Sequence, residues 1–231
     1  MAETVGLDFD SPLQALISWS SGKDAAFALA EVQRRRTVHP VGLLTTVTDA
    51  FGRVSIHGVR EALLRTQAQL LGLPLTIVRI PYPCPNEVYE REMGHALGRA
   101  REEGVQAVVF GDLFLEDVRR YREVQLAKAG LKGVFPLWQR PTRELAREML
   151  QSGLRARLVC VDPRHLDASF AGREFDEHLL DDLPPGVDPC GERGEFHTFV
   201  THSPLFRTPV VVRPGAVVER DGFVFADLRA E

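Results

Sequence analysis

Residues 13–36 read LQALISWSSGKDAAFALAEVQRRR. The apolar run Leu13–Ser18 is typical of a buried strand, and the alanine-rich run at 24–36 is typical of a helix. A short polar turn, residues 19–23, separates the two. A strand, a tight turn and a helix in this order predict the beginning of a βαβ unit.

The same alternation continues to about residue 137. Apolar runs at 41–47, 75–80, 105–110 and 134–137 predict strands, and segments at 59–70, 86–104 and 115–129 predict helices. Strands that alternate with helices form parallel sheets with helices on both faces. We therefore expect an α/β fold with a doubly wound, parallel, five-stranded sheet.

The pattern changes after residue 139, where Gln139-Arg140-Pro141 is a weak linker signal. Helices are predicted at 142–151 and 173–180, and strands at 158–161, 196–201, 206–212 and 216–228, the last with a hairpin turn at Asp221-Gly222. We expect two domains, residues 1–139 and a smaller α+β domain at 140–231.

Composition restricts the class of protein. The chain has 231 residues, a net charge of −4 and three cysteines, Cys84, Cys160 and Cys190. The charge gives no general attraction to nucleic acid, and the widely spaced cysteines indicate neither disulfides nor a thiolate zinc site. The first residues lack the features of a signal peptide and the apolar runs have the length of strands, so we expect a cytoplasmic protein without a membrane segment.

The turn at 18–24 has the composition of an anion site. A helix N-terminus presents unpaired N–H groups, Gly22 permits close approach of the backbone, and Lys23 adds a positive charge. Asp24 is suited either to cap the helix or to hold Mg²⁺. The motif is not G-x-x-x-x-G-K-[ST] of kinases and GTPases. We expect nucleotide phosphates here, against the alternative of an ordinary turn, with contacts from Ser18, Ser20, Ser21, Gly22, Lys23 and Asp24.

Three further groups follow predicted strands, where ligands of open α/β sheets bind. Thr45 and Thr46 are candidates for adenine or ribose, although a β-branched strand end explains them equally well. His57 is a candidate nucleotide contact or base, with a helix-cap or surface histidine as the alternative. Gly111 and Asp112, followed by Glu116 and Arg119, are suited to hold a cation and to clamp phosphate or carboxylate, unless they form a solvated face.

A second reactive segment reads DPCGERGEFHT at residues 188–198. It places Cys190, Glu192, Glu195 and His197 in a glycine-bent loop before a strand, a density of reactive groups typical of sites. The residues alone leave open a metal site, a Cys190 nucleophile paired with His197, and a polar loop with a buried cysteine.

Residues 20–24, SSGKD, resemble the SGGKDS motif of the PP-loop (N-type) ATP pyrophosphatases, which have the adenine nucleotide alpha hydrolase-like fold. Ser21 replaces a glycine and Ala25 replaces the final serine. Within that group the chain resembles the diphthine–ammonia ligase family over about residues 13–206. The resemblance is carried by the SSGKD segment together with HGV at 57–59, GDLFLED at 111–117, FPLW at 135–138 and CGERGEFHT at 190–198.

The resemblance implies a reaction and roles for the residues. ATP and Mg²⁺ bind at the SSGKD turn, a substrate carboxylate attacks the α-phosphorus, and ammonia displaces AMP to form an amide. In the family, the carboxylate belongs to diphthine in translation elongation factor 2. The implied catalytic residues are Lys23, Asp24, Asp112, Glu192, Glu195 and His197; the nucleotide-binding residues are Ser18, Ser20, Ser21, Gly22, Thr45, Thr46, His57 and Gly111; the substrate-binding residues are Glu116, Arg119, Cys190, Gly191 and Thr198; and Asp24 is the metal ligand.

The acceptor is left open. Residues 118–122, VRRYR, differ from the tyrosine and glutamine expected after the acidic pair in the family, so the acceptor is diphthine, another carboxylate or a carbonyl-like base. Two alternatives for the whole chain are an enzyme that adenylates a tRNA base and a regulatory module that holds ATP without turnover. The apolar C-terminal strands leave a homodimer open.

Overall fold

The computed structural model describes residues 12–231, so the first eleven residues of the predicted N-terminal domain lie outside the described part. The first sheet contains β1 (Leu13–Ser18), β2 (Val38–Thr48), β3 (Arg53–Val54), β4 (Leu75–Ile80), β5 (Ala107–Val109) and β6 (Lys132–Val134). Five of these strands are parallel in the order β4-β2-β1-β5-β6, and the short β3 pairs antiparallel with the end of β2. The predicted doubly wound parallel sheet is confirmed, with β3 as an addition that the sequence analysis did not predict.

Four helices cover the two faces of this sheet: α1 (Lys23–Arg35), α2 (Glu61–Leu71), α3 (Asn86–Glu102) and α4 (Glu116–Lys128). Successive residues of a strand point to opposite faces. Accordingly, Leu16 of β1 packs in the same apolar cluster as Leu97 of α3 and Leu126 of α4, whereas Ile17 packs in the cluster that contains Leu29 of α1.

Strand order reverses at β1, because β2 lies on one side of it and β5 on the other. At such a switch point the connections leave in opposite directions and open a crevice beyond the carboxyl ends of the strands. The SSGKD turn follows β1 directly, so it lies at this crevice.

The second sheet is antiparallel. It contains β7 (Arg155–Val161), β8 (Glu174–Phe175), β9 (Phe196–His202), β10 (Val212–Arg220) and β11 (Phe223–Ala230), and its helices are α5 (Thr142–Gln151) and α6 (Glu177–Asp182). The order is β10-β11-β7-β8, and β9 pairs with β7. The predicted helix at 142–151 and the hairpin at Asp221-Gly222 are confirmed.

One predicted strand was wrong, and two further elements were predicted with the wrong bounds. Residues 203–211 are a loop, because Pro204 and Pro209 interrupt backbone pairing, and the buried side chains of Phe206 and Val210 account for the apolar pattern. The fifth parallel strand occupies Lys132–Val134 and stops before Pro136 instead of spanning 134–137. The predicted helix at 173–180 is a two-residue strand followed by α6, which begins where the Asp176 carboxylate accepts a hydrogen bond from the Leu179 N–H at 2.7 Å.

The two sheets share one apolar cluster, which contains Ile17 and Leu29 from the first half and Leu158 and Phe199 from the second. The α5 helix adds Leu145 and Met149, both without exposed surface. The division at residues 139 and 140 therefore stays a prediction. No helix within residues 12–231 is long and apolar enough to cross a membrane.

Candidate active site

Backbone geometry makes the SSGKD turn unusual. Ser21 has a φ of 67°, in the left-handed region that favours glycine, and its side chain is buried. Its carbonyl accepts hydrogen bonds from the Val200 N–H of β9 at 2.9 Å and from Gln67 Nε2 of α2 at 3.3 Å. The surrounding structure thus holds a conformation that serine alone would not favour.

Gly22 begins α1 without a side-chain cap. A Cβ at this position would lie 3.1 Å from the Thr198 carbonyl oxygen and 3.4 Å from His57 Nε2. The next amide, of Lys23, donates to Thr198 Oγ1 at 3.1 Å. An alanine would press on the Thr198 carbonyl by a few tenths of an ångström, so glycine suits the place where β9 and the His57 loop approach the turn.

Lys23 lies in a buried position, with 1% of its surface exposed. Its ammonium donates to both carboxylate oxygens of Asp24, at 2.9 and 3.1 Å, and to the carbonyl of Cys190. The rings of Phe175 and Phe196 lie 5.5 and 5.3 Å from Nζ. Burial is the largest influence and lowers the pKa of Lys23, but Asp24, Cys190 and Asp188 together outweigh it and raise the pKa above its ordinary value, so the lysine stays charged. The ammonium thus lies between the turn and the second sheet.

The end of β5 meets α1 at Gly111. A Cβ there would lie 2.7 Å from the carbonyl carbon of Asp24 and 2.9 Å from the Ala25 nitrogen, which are backbone atoms that cannot move aside. The next residue, Asp112, accepts two hydrogen bonds from Arg122 of α4, at 2.6 and 3.2 Å. Its carboxylate is therefore already paired within the protein.

Two buried carboxylates shape the 188–198 loop. Asp188 accepts from the Cys190 N–H at 2.9 Å and from the Glu192 N–H at 3.3 Å. Glu195 accepts from the Asp188 N–H at 2.9 Å and from the Arg193 N–H at 3.0 Å. Glu195, predicted as catalytic, is placed as the carboxylate that folds the loop. Asp188 has the same role in folding the loop, and the sequence analysis did not predict it.

Glu192 points toward the first sheet, where its Oε1 accepts from the Leu113 N–H at 2.8 Å and the Phe114 N–H at 3.4 Å. Burial is the main cause that raises the pKa of Glu192 to about 7, with Asp24 and Asp112 adding repulsion. A carboxyl group with this pKa can accept and release a proton near neutral pH.

Cys190 is buried and its thiol donates to the Thr142 carbonyl at 3.4 Å. Burial raises the pKa of Cys190 well above its ordinary value, so the group is a neutral thiol without the character of a nucleophile. Gly191 has a φ of 69° and its Cβ would lie 2.7 Å from the Phe196 carbonyl oxygen, so only glycine fits there.

Two histidines face each other beside the turn. The ring centroids of His57 and His197 are 4.4 Å apart with an interplanar angle of 37°. Burial lowers the pKa of His57 to about 4 and lowers the pKa of His197 well below its ordinary value, and the Lys23 charge adds to both shifts. Both imidazoles are therefore neutral at pH 7.

A cavity of about 900 Å³ fills the crevice at the switch point. Its wall includes Ser18, Ser20, Thr45, Thr46 and His57 of the predicted nucleotide set. The cavity continues between α3 and α4, where its lining includes Tyr89, Met93, Tyr121 and Arg122. Its volume lies within the range of small-molecule sites.

None of the five predicted substrate residues lines this cavity, and two of them lie on α4. Glu116 is exposed at the beginning of α4. Arg119 pairs with Glu123 at 2.8 Å, and its guanidinium lies 4.7 Å from the rings of Phe135 and Trp138. Neither is brought to the lining of the cavity.

Sequence reasoning missed Gln67, which has no exposed surface. Its Oε1 accepts from Trp19 Nε1 at 2.9 Å, and its Nε2 donates to the Val200 carbonyl at 2.7 Å. A glutamine on the apolar face of a predicted helix was the available signal, because a buried amide requires partners.

The structure does not form the metal site that the sequence left open at Cys190, Glu192 and His197. Nowhere in residues 12–231 do three or more His, Cys, Asp or Glu side chains come together in an arrangement that could hold a metal ion.

The parallel sheet, the crevice and the serine- and glycine-containing turn at its mouth define an α/β protein of the PP-loop class. The profile of the diphthamide synthase N-terminal domain matches residues 13–133, and that of the diphthamide synthase C-terminal domain matches residues 141–224. The chain belongs to the diphthine–ammonia ligase family.

Curated relatives carry the same name. The diphthine–ammonia ligase of Rattus norvegicus is 33% identical over 182 residues, which cover 75% of this chain and 67% of the rat protein. That of Homo sapiens is 33% identical over 138 residues, which cover 54% of this chain and 49% of the human protein. The match thus spans about half of the length of the human relative.

A solved structure, the U34-tRNA thiolase NcsA from Methanococcus maripaludis with its [4Fe-4S] cluster, is similar over 64% of this chain and 60% of that one. Its sequence identity is 16% and the TM-score is 0.37, so this similarity carries no argument about function.

Proposed function

We propose that the chain is an ATP-dependent, AMP-forming ligase that adenylates a substrate carboxylate and amidates it with ammonia. The proposal follows the name of its relatives, diphthine–ammonia ligase, and extends their activity to this chain.

One observation carries the proposal: the 188–198 loop is bonded to the first turn of α1. The Lys23 ammonium donates to the Cys190 carbonyl, and the Lys23 amide donates to Thr198. A reaction that passes AMP from ATP to a carboxylate needs the phosphate site and the acceptor-side groups in fixed proximity. These contacts hold the two segments together.

We assign ATP to the larger cavity. The base and ribose would lie beside Thr45 and Thr46, and the triphosphate would lie toward Ser20 and the beginning of α1. The first amides of α1 and the positive end of its dipole stabilise negative charge on phosphate, including the charge that develops at the transferred phosphorus. We assign Lys23 to the binding of the two loops to each other, because its ammonium is already bonded to Asp24 and Cys190.

Glu192 is the proposed general base for the amidation step. Its Oε2 accepts no hydrogen bond from residues 12–231, and its pKa of about 7 suits proton transfer. Ammonium gives one proton to Glu192, the resulting ammonia forms the C–N bond with the acyl carbon, and the C–O bond to AMP breaks. The nitrogen loses its surplus proton to solvent.

Mg²⁺ remains part of the proposal through Asp24. Its side chain is 29% exposed at the beginning of α1, next to the proposed phosphate position. Mg²⁺ is commonly bound by one or two carboxylates together with phosphate oxygens, so a single aspartate fits a site that the nucleotide completes. The ion would supply neutralisation of phosphate charge.

The acceptor proposed is a protein carboxylate such as diphthine in an elongation factor. A homodimer also stays a prediction. Its support is β10, which lies at the end of the second sheet and exposes Val217 and Val218 by 60% and 49%.

The test is the identity of the products from ATP labelled at the α-phosphate, with and without ammonium and a diphthine-bearing elongation factor. We expect AMP and pyrophosphate, with AMP release dependent on acceptor and ammonium. Asp24→Asn should reduce the rate, whereas Asp117→Asn, which changes an exposed aspartate in the first turn of α4, should not.

Formation of ADP and phosphate would contradict the proposal. Tight binding of ATP without any AMP, with acceptor and ammonium present, would favour the regulatory module instead.

A further inference from the structure

A second cavity, of about 460 Å³, adjoins the proposed nucleotide cavity. Both sheets build it: the β2–β3 hairpin contributes Phe51, the segment after β4 contributes Tyr82, and the β10–β11 hairpin contributes Arg220 and Phe225. The two cavities share a wall of five residues, Val54, Ser55, Ile56, Ile80 and Cys84. A molecule in the second cavity would therefore lie next to bound nucleotide.

Aromatic rings fix the Arg220 side chain in this cavity. Its guanidinium carbon lies 4.1 Å from the centroid of the Phe51 ring and 4.8 Å from that of Phe225. The ring of Tyr82 packs against Phe51 at 4.9 Å. Stacking occupies the faces of a guanidinium and leaves its N–H edges for other partners.

Those edges are little used within the protein. Within residues 12–231 the ion partner of Arg220 is Asp221, with an Nε to Oδ2 distance of 3.7 Å, longer than a hydrogen bond. Two neighbouring arginines differ from Arg220 because they are hydrogen-bonded: Arg53 and Arg60 donate to Asp227 at 2.9 and 2.7 Å. Arg220 is thus an oriented cation whose side-chain donors make no hydrogen bond within residues 12–231, and its ion partner Asp221 is half-exposed.

The shared wall also contains an unusual backbone conformation. Ile56 has a φ of 67° although it is β-branched, and 70% of its surface is exposed. Such a conformation is costly for isoleucine and is typical of segments that contact ligands. It marks the boundary between the two cavities as a place where a ligand would cover an apolar side chain.

We propose that the second cavity binds the acceptor, with the edge of Arg220 holding its carboxylate and the aromatic walls holding its apolar part. A planar guanidinium pairs with a carboxylate through two parallel hydrogen bonds, which recognise both charge and shape. This inference rests on the proposed function, because a ligase that activates a carboxylate needs an acceptor site beside the nucleotide. Arg220 is a binding residue in this role.

Binding is measured with two small probes of equal shape, 3-phenylpropanoate and its neutral amide 3-phenylpropanamide. In the ¹⁵N-labelled protein, the Arg220 Nε–H resonance is assigned by its absence in Arg220→Met. We expect the carboxylate to shift this resonance and to bind about tenfold or more tightly than the amide, as a charge-assisted pair requires. The affinity for ATP should not change when the carboxylate is present.

The variants test the role of the arginine. Arg220→Met should bind the two probes equally, and Arg220→Lys should retain only part of the preference because it keeps the charge without the planar edge. The matched control is Arg213→Met on the same strand, at an exposed position, which should behave like the unmodified chain. The amide spectrum of each variant reports whether it is folded, and Arg220→Lys provides the test if Arg220→Met is not.

Equal binding of the two probes by the unmodified chain, or a preference for the carboxylate that survives Arg220→Met, would overturn the inference. Displacement of ATP by the carboxylate would also overturn it, since the second cavity would then belong to the nucleotide site. These outcomes need no turnover, so they are independent of whether ATP yields AMP or ADP.

Discussion

Two regions at the carboxyl end of the first sheet use polar groups in different ways. Where α1 meets β9, the polar groups bond to one another: Lys23 with Asp24 and Cys190, and Gln67 with Trp19 and Val200. In the crevice, Thr45, Thr46 and His57 line an open cavity. The comparison indicates that the first region fixes the position of the turn, whereas the second region is available to a ligand.

Lys23→Met should have the largest effect, and it tests whether the bonded polar groups fix the turn. The substitution leaves the Asp24 carboxylate and the Cys190 carbonyl without their partner, and loss of one member of a buried ion pair costs about 3 kcal/mol. We expect the free energy of unfolding, measured in urea, to fall by that amount. Lys132→Met, at an exposed position of β6, should change it by less than about 0.5 kcal/mol.

If Lys23→Met weakened ATP binding but left the stability unchanged, the ammonium would be a phosphate ligand. That result would contradict our assignment of Lys23 to the contact between the two loops.

Gly111→Ala tests the region around α1 through packing. The new Cβ would lie 2.7 Å from the backbone of Asp24, and overpacking of this kind costs about 2 kcal/mol. Thermal unfolding should show a lower midpoint. The control is Gly94→Ala in α3, where a Cβ meets no atom within 4 Å and alanine is the better helix former. A higher midpoint for Gly111→Ala would mean that β5 and α1 are not in the contact described.

The histidine pair predicts a dependence of stability on pH. Burial lowers the pKa of His57 to about 4, whereas the unfolded chain has an ordinary histidine. Below pH 6.5 the unfolded state therefore binds a proton that the folded state does not, and stability falls as the pH is lowered from about 6.5 toward 4. We expect about 2 kcal/mol less stability from this group at pH 5 than at pH 7, measured in urea.

His57→Gln should remove that part of the pH dependence. The control His95→Gln changes an exposed histidine of α3 and should leave the contribution of His57 in place. An unaltered slope in His57→Gln would show that the imidazole is protonated or solvated in the folded protein.

Bound ATP should raise the histidine pKa that burial lowers in the free protein. Phosphate charge near His57, which lines the proposed ATP cavity, favours the imidazolium, so we expect proton uptake on binding below about pH 7. Calorimetry in buffers with different ionisation enthalpies measures it directly.

The sequence was sufficient for the parts of the molecule that depend on local patterns. The alternation of apolar strands and amphipathic helices predicted the parallel sheet, and Leu75–Ile80 and Leu13–Ser18 occur with the predicted bounds. It also identified the turn and the 188–198 loop as chemically unusual. Strand 206–212 failed because a loop that buries Phe206 and Val210 has the same apolar pattern as a strand.

Contacts between distant segments were beyond local patterns. That Lys23 is bonded to Cys190, and that Asp112 is paired with Arg122, depends on how the sheets and helices come together. The second cavity could not be predicted from the sequence. Its walls come from separate hairpins and connections, which contribute Phe51, Tyr82, Arg220 and Phe225.

Ser21→Gly gives the smallest expected effect and sharpens the comparison at the turn itself. Glycine adopts the φ of 67° without the penalty of about 1 kcal/mol that a side chain incurs, but it also gives the unfolded chain more freedom. The net gain in stability should be about 0.5 kcal/mol, measured in urea. Ser20→Gly, at a residue outside the left-handed region, should instead lose stability. A loss in Ser21→Gly would mean that the buried Ser21 hydroxyl, which donates to the Ser20 carbonyl, stabilises the turn by more than the strained backbone costs.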